Sequence, residues 1–494
     1  MRISSSMIYA AGSAQIDTLQ AQLLQEQEEI SSNTSVLTPA DNPVAAAQAL
    51  LVTQTQSDNT QYMSNQQDAT NSLSQEETAL SSVTTLVQNA QTAIVDAGNG
   101  SYTNQERQSI ATSLQGTYNQ LLGLANSQDG NGNYMFAGYQ TGTAPFTATA
   151  TGAQYNGDQG QTTVQVSASQ TMAIGDSGSS VFENNVTGNG TFTTSAVTGN
   201  VGSGVISTGS VTNAASLTGD DYTITFSGIQ TSANAGNTGN ATISSATIAD
   251  ASQLNGDTYT LSFQAGANGS TYSVVDATTG STLSTGNAYQ AGQSISVGGA
   301  QFSITGNPAN GDQFTVVANP TTYTVTDDTN PASTTVPAAN QPYVSGQAIE
   351  FDGLDVDVSG SPSNGDSFSI APSSTQSVFT TLTNLINLLN SPSGSSVASD
   401  TNLTNGLNTA SNNLSSALNN ILTVRSSIGA RLNELTSLGS EGSSLNLQYS
   451  TTLQGLTGLN YAQALSTYAQ EQTTLSAAQQ SFVKISGMSL FNYL

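Results

Sequence analysis

The side chains whose types and spacing suit chemistry in this 494-residue chain are acidic or amide. Asp129, Asn131 and Asn133 carry the first three ligand spacings of a calcium loop. The sixth position is Tyr134, where the turn requires glycine, and the twelfth is Gln140, where a bidentate glutamate belongs. A structural turn is expected there instead of a metal site. Asp355 and Asp357 point the same way from one strand, a geometry glycosidases use, but no aromatic or basic residue immediately flanks them to hold a sugar. A solvated face is the expectation. The Gly-Asp pairs at 157–158, 256–257, 311–312 and 365–366 lack the tandem nine-residue spacing of a calcium β-roll and read as hairpin turns.

The absences are as informative. The chain has no Cys, no His and no Trp, which removes thiol nucleophiles, disulfides, Cys/His zinc sites and every mechanism built on imidazole. No catalytic, cofactor-binding or metal residue is assigned, no cofactor is expected, and the chain reads as a non-enzyme. Only 5 Lys+Arg stand against 32 Asp+Glu, for a formal net charge of -27. That sign argues against nucleic acid. The cations are Arg2, Arg107, Arg425, Arg431 and Lys484, so the middle has no clamp for phosphate or anionic lipid and reads as a solvated acidic surface. No run of about 18 apolar residues exists, so no membrane insertion is expected. Met1-Arg2-Ile3-Ser4-Ser5-Ser6-Met7 has a charge but no apolar run behind it, so any export is expected to use a route that reads no cleavable signal.

The elements that would position these residues divide by period: helix at both ends, strand between, with boundaries near Phe146 and Ser373. Ile16, Leu19, Leu23 and Ile30 fall at spacings of three, four and seven, with Glu26 in the missing seam position, predicting a short coiled-coil-like helix. Thr38-Pro39-Ala40-Asp41-Asn42-Pro43 breaks it, and Asp41 is the expected N-cap of a second helix running to about Asp96. In that helix Leu73, Leu80, Val83, Val87, Ala90 and Ile94 make a clean stripe, while residues 53–72 offer only Tyr62, Met63 and Ala69. Gly98-Asn99-Gly100 stops it. Ile110, Leu114, Leu121 and Leu124 mark a further helix, and a turn at 129–133 precedes an expected short strand Tyr134-Met135-Phe136.

Toward the other end Leu407, Leu414, Ile421, Ile428 and Leu435 recur every seventh residue, flanked by Leu403, Leu418, Val424 and Leu432. A Gly/Ser-rich break is expected at Gly439–Ser444, followed by a last helix carrying Leu465, Tyr468, Leu475, Ala478, Phe482 and Ile485. The middle alternates as strands do, and it repeats: Gly292–Phe314 aligns without a gap to Gly346–Phe368, an offset of about 54 residues. An earlier partial copy starts at Asn255-Gly256-Asp257, and Tyr272–Asp276 matches Tyr323–Asp327. Small stacked β modules are expected. The whole is thus an α+β multidomain chain: long terminal helices paired in a coiled-coil-like bundle around a β-rich, repeat-containing central region. Long helices at both extremes must pair with one another or between copies.

Several segments carry a family likeness. Met1-Arg2-Ile3-Ser4, Val36–Ala47 with its Thr-Pro-Ala-Asp-Asn-Pro core, Gly132-Asn133-Tyr134-Met135-Phe136-Ala137-Gly138 and Arg425–Asn433 all resemble the flagellar hook-associated protein 3 family of the flagellin group. So do Ala477–Ile485 and the ending Ser489-Leu490-Phe491-Asn492-Tyr493-Leu494. The resemblance covers about 1–146 and 375–494. The chain departs from the family at Asn33-Thr34-Ser35, where a basic pair is usual, and at Gly458-Leu459-Asn460, where an acidic stretch is usual.

The resemblance implies a structural subunit of the extracellular bacterial flagellum, exported unfolded by the type III apparatus with an export chaperone. It would assemble as a ring of identical copies between another hook-associated protein on the hook side and flagellin on the filament side. It also implies a terminal layer of residues 1–42 with 440–494, disordered in the monomer, a helical core of 43–146 with 374–439, and a variable outer region 147–373. Ile16, Leu19 and Leu23 with Leu465, Leu475 and Phe482 would line the axial layer. The competing readings are a flagellin-like filament subunit, which the Thr38-Pro39 turn and the Phe491–Leu494 ending disfavour, and a β-repeat surface adhesin, which leaves the terminal heptads unexplained. An acidic β-rich glycosidase is the enzyme reading, and it has only the Asp355/Asp357 pair behind it.

Overall fold

The computed structural model describes residues 5–266, 269–330, 337–394 and 396–487. The Met1–Ser4 start and the Ser489–Leu494 ending, both used in the family likeness, lie outside the described residues. Among those described, the α-helices are α1 (Ser5–Ser32), α2 (Pro43–Ala97), α3 (Asn104–Ala125), α4 (Val378–Asn390), α5 (Val397–Thr457) and α6 (Tyr461–Gly487). The chain divides into two units, one of residues 1–73, 163–174 and 430–494, the other of 74–162 and 175–429.

In the first unit α1 packs along α6. The turn into α2 is held by two side chains with separate tasks. Asp41 Oδ2 accepts from Thr38 N (2.6 Å) and Thr38 Oγ1 (3.1 Å), closing the turn. The helix cap itself is Asn42, whose Oδ1 accepts from Ala45 N at 3.1 Å, with Pro43 as first helical residue. The expected Asp41 cap is therefore displaced by one residue, because the Asp41 carboxylate already has partners within the turn. The Gly439–Ser444 break does not occur either: α5 runs through it. Asn59 Nδ2 donates to Gly442 O at 2.8 Å, and a Cβ on Gly442 would stand 3.0 Å from Met63 Cγ, so this glycine admits a neighbouring helix instead of ending its own. Short strands Thr163–Ser167 and Gln170–Ala173 form a hairpin in this unit, tied to α2 by Asn65 and Gln66, whose amides donate to Gln165 O and Val166 O.

The second unit begins with an aromatic cluster where helix gives way to strand. Phe136, Phe146, Phe182, Phe379 and Tyr118 meet with ring centroids 5.1–5.9 Å apart. Tyr134-Met135-Phe136 is not a strand: Tyr134 makes an isolated bridge to Gln128, and the chain then turns to drive Phe136 wholly inside. Gly138 follows at φ +69, where a Cβ would lie 2.2 Å from Asp158 Oδ1, so the turn admits only glycine.

Beyond this cluster the strands form two copies of one module, and one copy is inserted into the other. The host comprises residues 192–227 and 322–372; its sheet runs Phe192–Ala196, Ser367–Pro372, Tyr222–Ser227, Thr322–Asp327, Ala338–Pro342. The insert, 229–318, repeats that order with Gln230–Ala233, Gln313–Val317, Thr258–Gly266, Gly269–Asp276 and Thr282–Ala288. Each has its own core, around Phe226 and Phe368 in the host and around Phe263 and Phe314 in the insert. Details repeat as well. Asp366, buried, accepts from Val201 N, Gly202 N and Ser363 N (2.8–2.9 Å), and Asp312 accepts from Thr238 N, Gly239 N and Ala309 N (2.8–3.1 Å). Tyr343 OH lies 3.0 and 2.7 Å from Val358 O and Gly360 O, and Tyr289 OH lies 3.1 and 2.7 Å from Ile304 O and Gly306 O.

The expected hairpin turns at 311–312 and 365–366 are therefore loop pins, each a buried carboxylate satisfied by backbone amides. Nor are the modules stacked units repeating every 54 residues. That offset relates only the C-terminal halves, because the insert separates the host's two halves.

The insertion point makes a prediction. Ser227 and Thr322 are paired neighbours across the host sheet. Replacing residues 228–321 by Asn-Gly, the preferred two-residue hairpin turn, leaves the host module folded. Slow amide exchange at Phe226 and Tyr323 in the shortened chain is the expected result, and fast exchange there would refute the nested reading.

Candidate functional site

Among the described residues no acid–base or nucleophilic constellation offers itself, and the helical faces are the candidate site. Among the described residues no group of three or more acidic, histidine or cysteine side chains is placed to hold a metal ion. Asp129 uses its carboxylate locally, Oδ1 accepting from Asn131 N (2.8 Å) and Asn133 N (2.9 Å). Asp355 and Asp357 share the half-buried face of strand Leu354–Ser359, opposite buried Leu354, Val356 and Val358.

In the second unit α2 and α5 run antiparallel. Their register is fixed by Arg425, whose Nη2 and Nε donate to Glu77 Oε1 (2.6 and 3.0 Å) and whose Nη1 donates to Thr84 Oγ1. Gln91 Nε2 to Ser415 Oγ keeps the same register further along. Leu80, Val87 and Ile94 on α2 and Ile421, Leu414 and Leu407 on α5 are all buried. Ile428 is buried too. Arg107 is buried between α3 and the end of α2, donating to Ala97 O, Asn99 O and Ser393 Oγ. It satisfies carbonyls that the helix end leaves open.

In the first unit the α2–α5 seam continues at the same heptad spacing but turns polar. Asn59, Gln66 and, on α5, Leu435 and Gly442 are buried. Tyr62 and Met63, the expected seam residues, are only half-buried. Asparagine and glutamine at seam positions carry no apolar signal, which is why residues 53–72 look patternless. Gln56 Nε2 donates to Asn446 Oδ1 at 2.7 Å.

The α1–α6 pair is antiparallel. Tyr9 meets Phe482 edge-on at 6.1 Å and donates to Ser486 O, while at the opposite end Thr34 bridges Gly458 and Ser35 N donates to Thr457 O at 2.7 Å. The two segments Asn33–Ser35 and Gly458–Asn460 thus meet through backbone pairing. Ile16, Leu19, Leu23, Ile30, Leu475 and Phe482 are half-buried. Leu465 is not on this seam: it is 52% exposed, and Ala464, 4% exposed, takes the inward position. Gly12 marks the closest approach, since a Cβ there would stand 2.7 Å from the Phe482 ring. Glu26 sits in the seam as its spacing requires. Burial, then the carboxylates of Glu29 and Glu471, pushes its carboxyl above the usual glutamate range.

Residues 3–141 match the bacterial flagellin N-terminal helical region. Over 189 residues the chain is 46% identical to flagellar hook-associated protein 3 of Salmonella typhimurium strain LT2, covering 38% of this chain and 59% of that protein. Over 183 residues it is 43% identical to flagellar hook-associated protein 3 of Escherichia coli strain K12, covering 37% of this chain and 57% of that one. The chain therefore spans less than two thirds of the length of these relatives. Among solved structures, flagellar hook-associated protein 3 of Legionella pneumophila superposes with a TM-score of 0.57 at 27% identity, over 82% of this chain and 98% of that one.

Two predictions concern the α1–α6 pair. A carboxyl raised in the paired state favours pairing below its unpaired value and loses that favour as pH rises through the raised one. Helicity at 222 nm should rise on acidification from neutral toward pH 5, and Glu26→Gln should raise it at pH 7 and flatten that dependence; an unchanged profile counts against the seam position. Gly12→Val should lower helicity at pH 7 by forcing Phe482 off the seam, whereas Val at exposed Ser13 should not; equal effects would remove the close approach from the account.

Proposed function

We propose that this chain is a member of the flagellar hook-associated protein 3 family and a structural subunit, not an enzyme, that joins hook to filament in the extracellular flagellum. The observation that carries the reading is the superposition on the Legionella protein across nearly all of that protein's length, helical ends and strand-rich middle together.

In this reading copies of the chain form a ring that receives another hook-associated protein on one side and flagellin on the other, after export in an unfolded state with a chaperone. The seam residues Ile16, Leu19, Leu23, Ile30, Leu475 and Phe482 are half-buried within one chain, and Met7, Ile8, Leu24, Leu465, Val483 and Ile485 are exposed. A two-helix layer leaves such apolar surface open, and neighbouring copies would bury it at about 25 cal/mol per Å2. The terminal layer, residues 1–42 with 440–494, would accordingly be held by only part of its apolar surface in the free chain and be completed on assembly. Leu407, Leu414, Ile421, Ile428 and Leu435 act differently, since they are buried within the chain and would hold α5 to its own partner helix.

Deletion of the encoding gene should leave intact hooks, no filaments, and flagellin spilled into the medium, seen by electron microscopy and blotting. Normal filaments in the deletion strain would end the proposal. Loss of the filament protein itself, with nothing spilled, would favour a filament subunit.

A further inference from the structure

We propose that the outer edge of strand Thr242–Ile243 in the inserted module is a docking site for a partner helix that presents asparagines seven residues apart. The argument comes from the duplication and is independent of the junction reading.

In the host module the corresponding edge is occupied by α5. Asn405, buried, donates from Nδ2 to Gly204 O at 3.1 Å and accepts at Oδ1 from Ile206 N at 3.1 Å. One amide side chain thereby supplies the donor and the acceptor that a neighbouring strand would. Two turns on, Asn412 Nδ2 donates to Thr208 Oγ1 at 2.7 Å.

The counterparts in the insert follow from bonds the two copies share. Thr194 Oγ1 donates to Ser207 O as Thr231 Oγ1 donates to Ser244 O, and Asn200 exchanges hydrogen bonds with Ser367 as Asn237 does with Gln313. Gly204, Ile206 and Thr208 thus answer to Ala241, Ile243 and Ser245. The two edges differ in what covers them. Gly204 and Ile206 are buried, whereas Ala241 and Ile243 are half-buried and Thr242, Ser244 and Ser245 are exposed. An open cleft of about 460 Å3, lined in part by Ser244–Ile248 and by Val397, adjoins the edge.

The chemistry of the occupant is set by the edge. Residues 238–248 contain no charged side chain, so a basic or acidic helix would lose hydration without an ion partner. A neutral helix with a pair of amides satisfies the edge groups at no such cost. The chain's own α5 is already seated on the host, so the occupant is a helix of another molecule that presents the same pair.

The probe is a stapled peptide of residues 401–416, uncharged in its side chains and helical before binding, titrated into the full-length 15N-labelled chain. Amide shifts confined to Thr242, Ile243 and Ser244 are expected, with affinity falling at least about tenfold when the peptide carries both Asn405→Ala and Asn412→Ala, the worth of one or two neutral hydrogen bonds. Ser245→Ala in the chain should weaken binding without changing the other module's spectrum. No shift at this edge, shifts only at Gly204–Thr208 through displacement of α5, or shifts indifferent to the double substitution would each overturn the proposal.

Discussion

A helix of 55 residues with one narrow apolar stripe cannot bury itself, and the fold follows from how α2 meets that demand. Its partner, α5, has 61 residues and the same seven-residue spacing in the opposite direction. The pairing is not uniform in strength. Each aliphatic side chain in the stretch of Leu80, Val87 and Ile94 contributes about 1.5–3 kcal/mol on burial. The hydrogen bond of Asn59 to Gly442 O contributes about 1 kcal/mol, because it replaces bonds to water. Aliphatic layers hold the helices together, and amide layers hold them in register: a slip of one residue would leave Asn59 buried without a partner, which costs more than the bond is worth.

The strand-rich middle solves a different problem, which is how to enlarge a module without rebuilding it. Ser227 and Thr322 are adjacent across the host sheet, so a chain leaving at one returns at the other with its ends already together. Loop closure then adds little entropy cost however long the insert. Because the insert has its own core around Leu261, Phe263, Phe302 and Phe314, it draws nothing from the host's. The copies keep the features that close the fold, the buried aspartate and the tyrosine bridging two carbonyls. They differ at the outer edge, where Asn405 and Asn412 of α5 hydrogen-bond the host, while among the described residues no α5 side chain does the same for the insert.

Much of this was legible in the sequence, and the misses have physical causes. The α5 heptad and the second half of α2 could be read because Leu and Ile declare a buried face. The first half of α2 could not, since Asn59 and Gln66 are buried by virtue of a specific partner, and no periodicity reveals a partner. Gly442 was misread for the same reason: glycine breaks a helix in isolation but admits Met63 and Asn59 in a pair. Ala464 lost its place to the larger Leu465 in a reading that ranks by hydrophobicity, whereas the seam selects for fit. The repeat was visible but its nesting was not, because an alignment reports the offset between copies and not which copy encloses the other.

The scarcity of positive charge bears on everything the surface can do. Arg107 is spent on the end of α2 and the Ser393 hydroxyl, Arg425 on Glu77 and Thr84, and Arg431 reaches Ala173 O. Lys484 lies exposed in the last turn of α6, where a cation complements the helix dipole. Ion pairing between copies would therefore need acidic groups to find partners that the described surface almost entirely lacks. What that surface offers in quantity is amide, hydroxyl and exposed aliphatic groups. Recognition built from these is insensitive to salt, gains specificity from unsatisfied amides when a fit is wrong, and places the burden of affinity on apolar area. The half-buried faces of α1 and α6 supply such area, while uncharged edges such as Thr242–Ile243 supply the amide part.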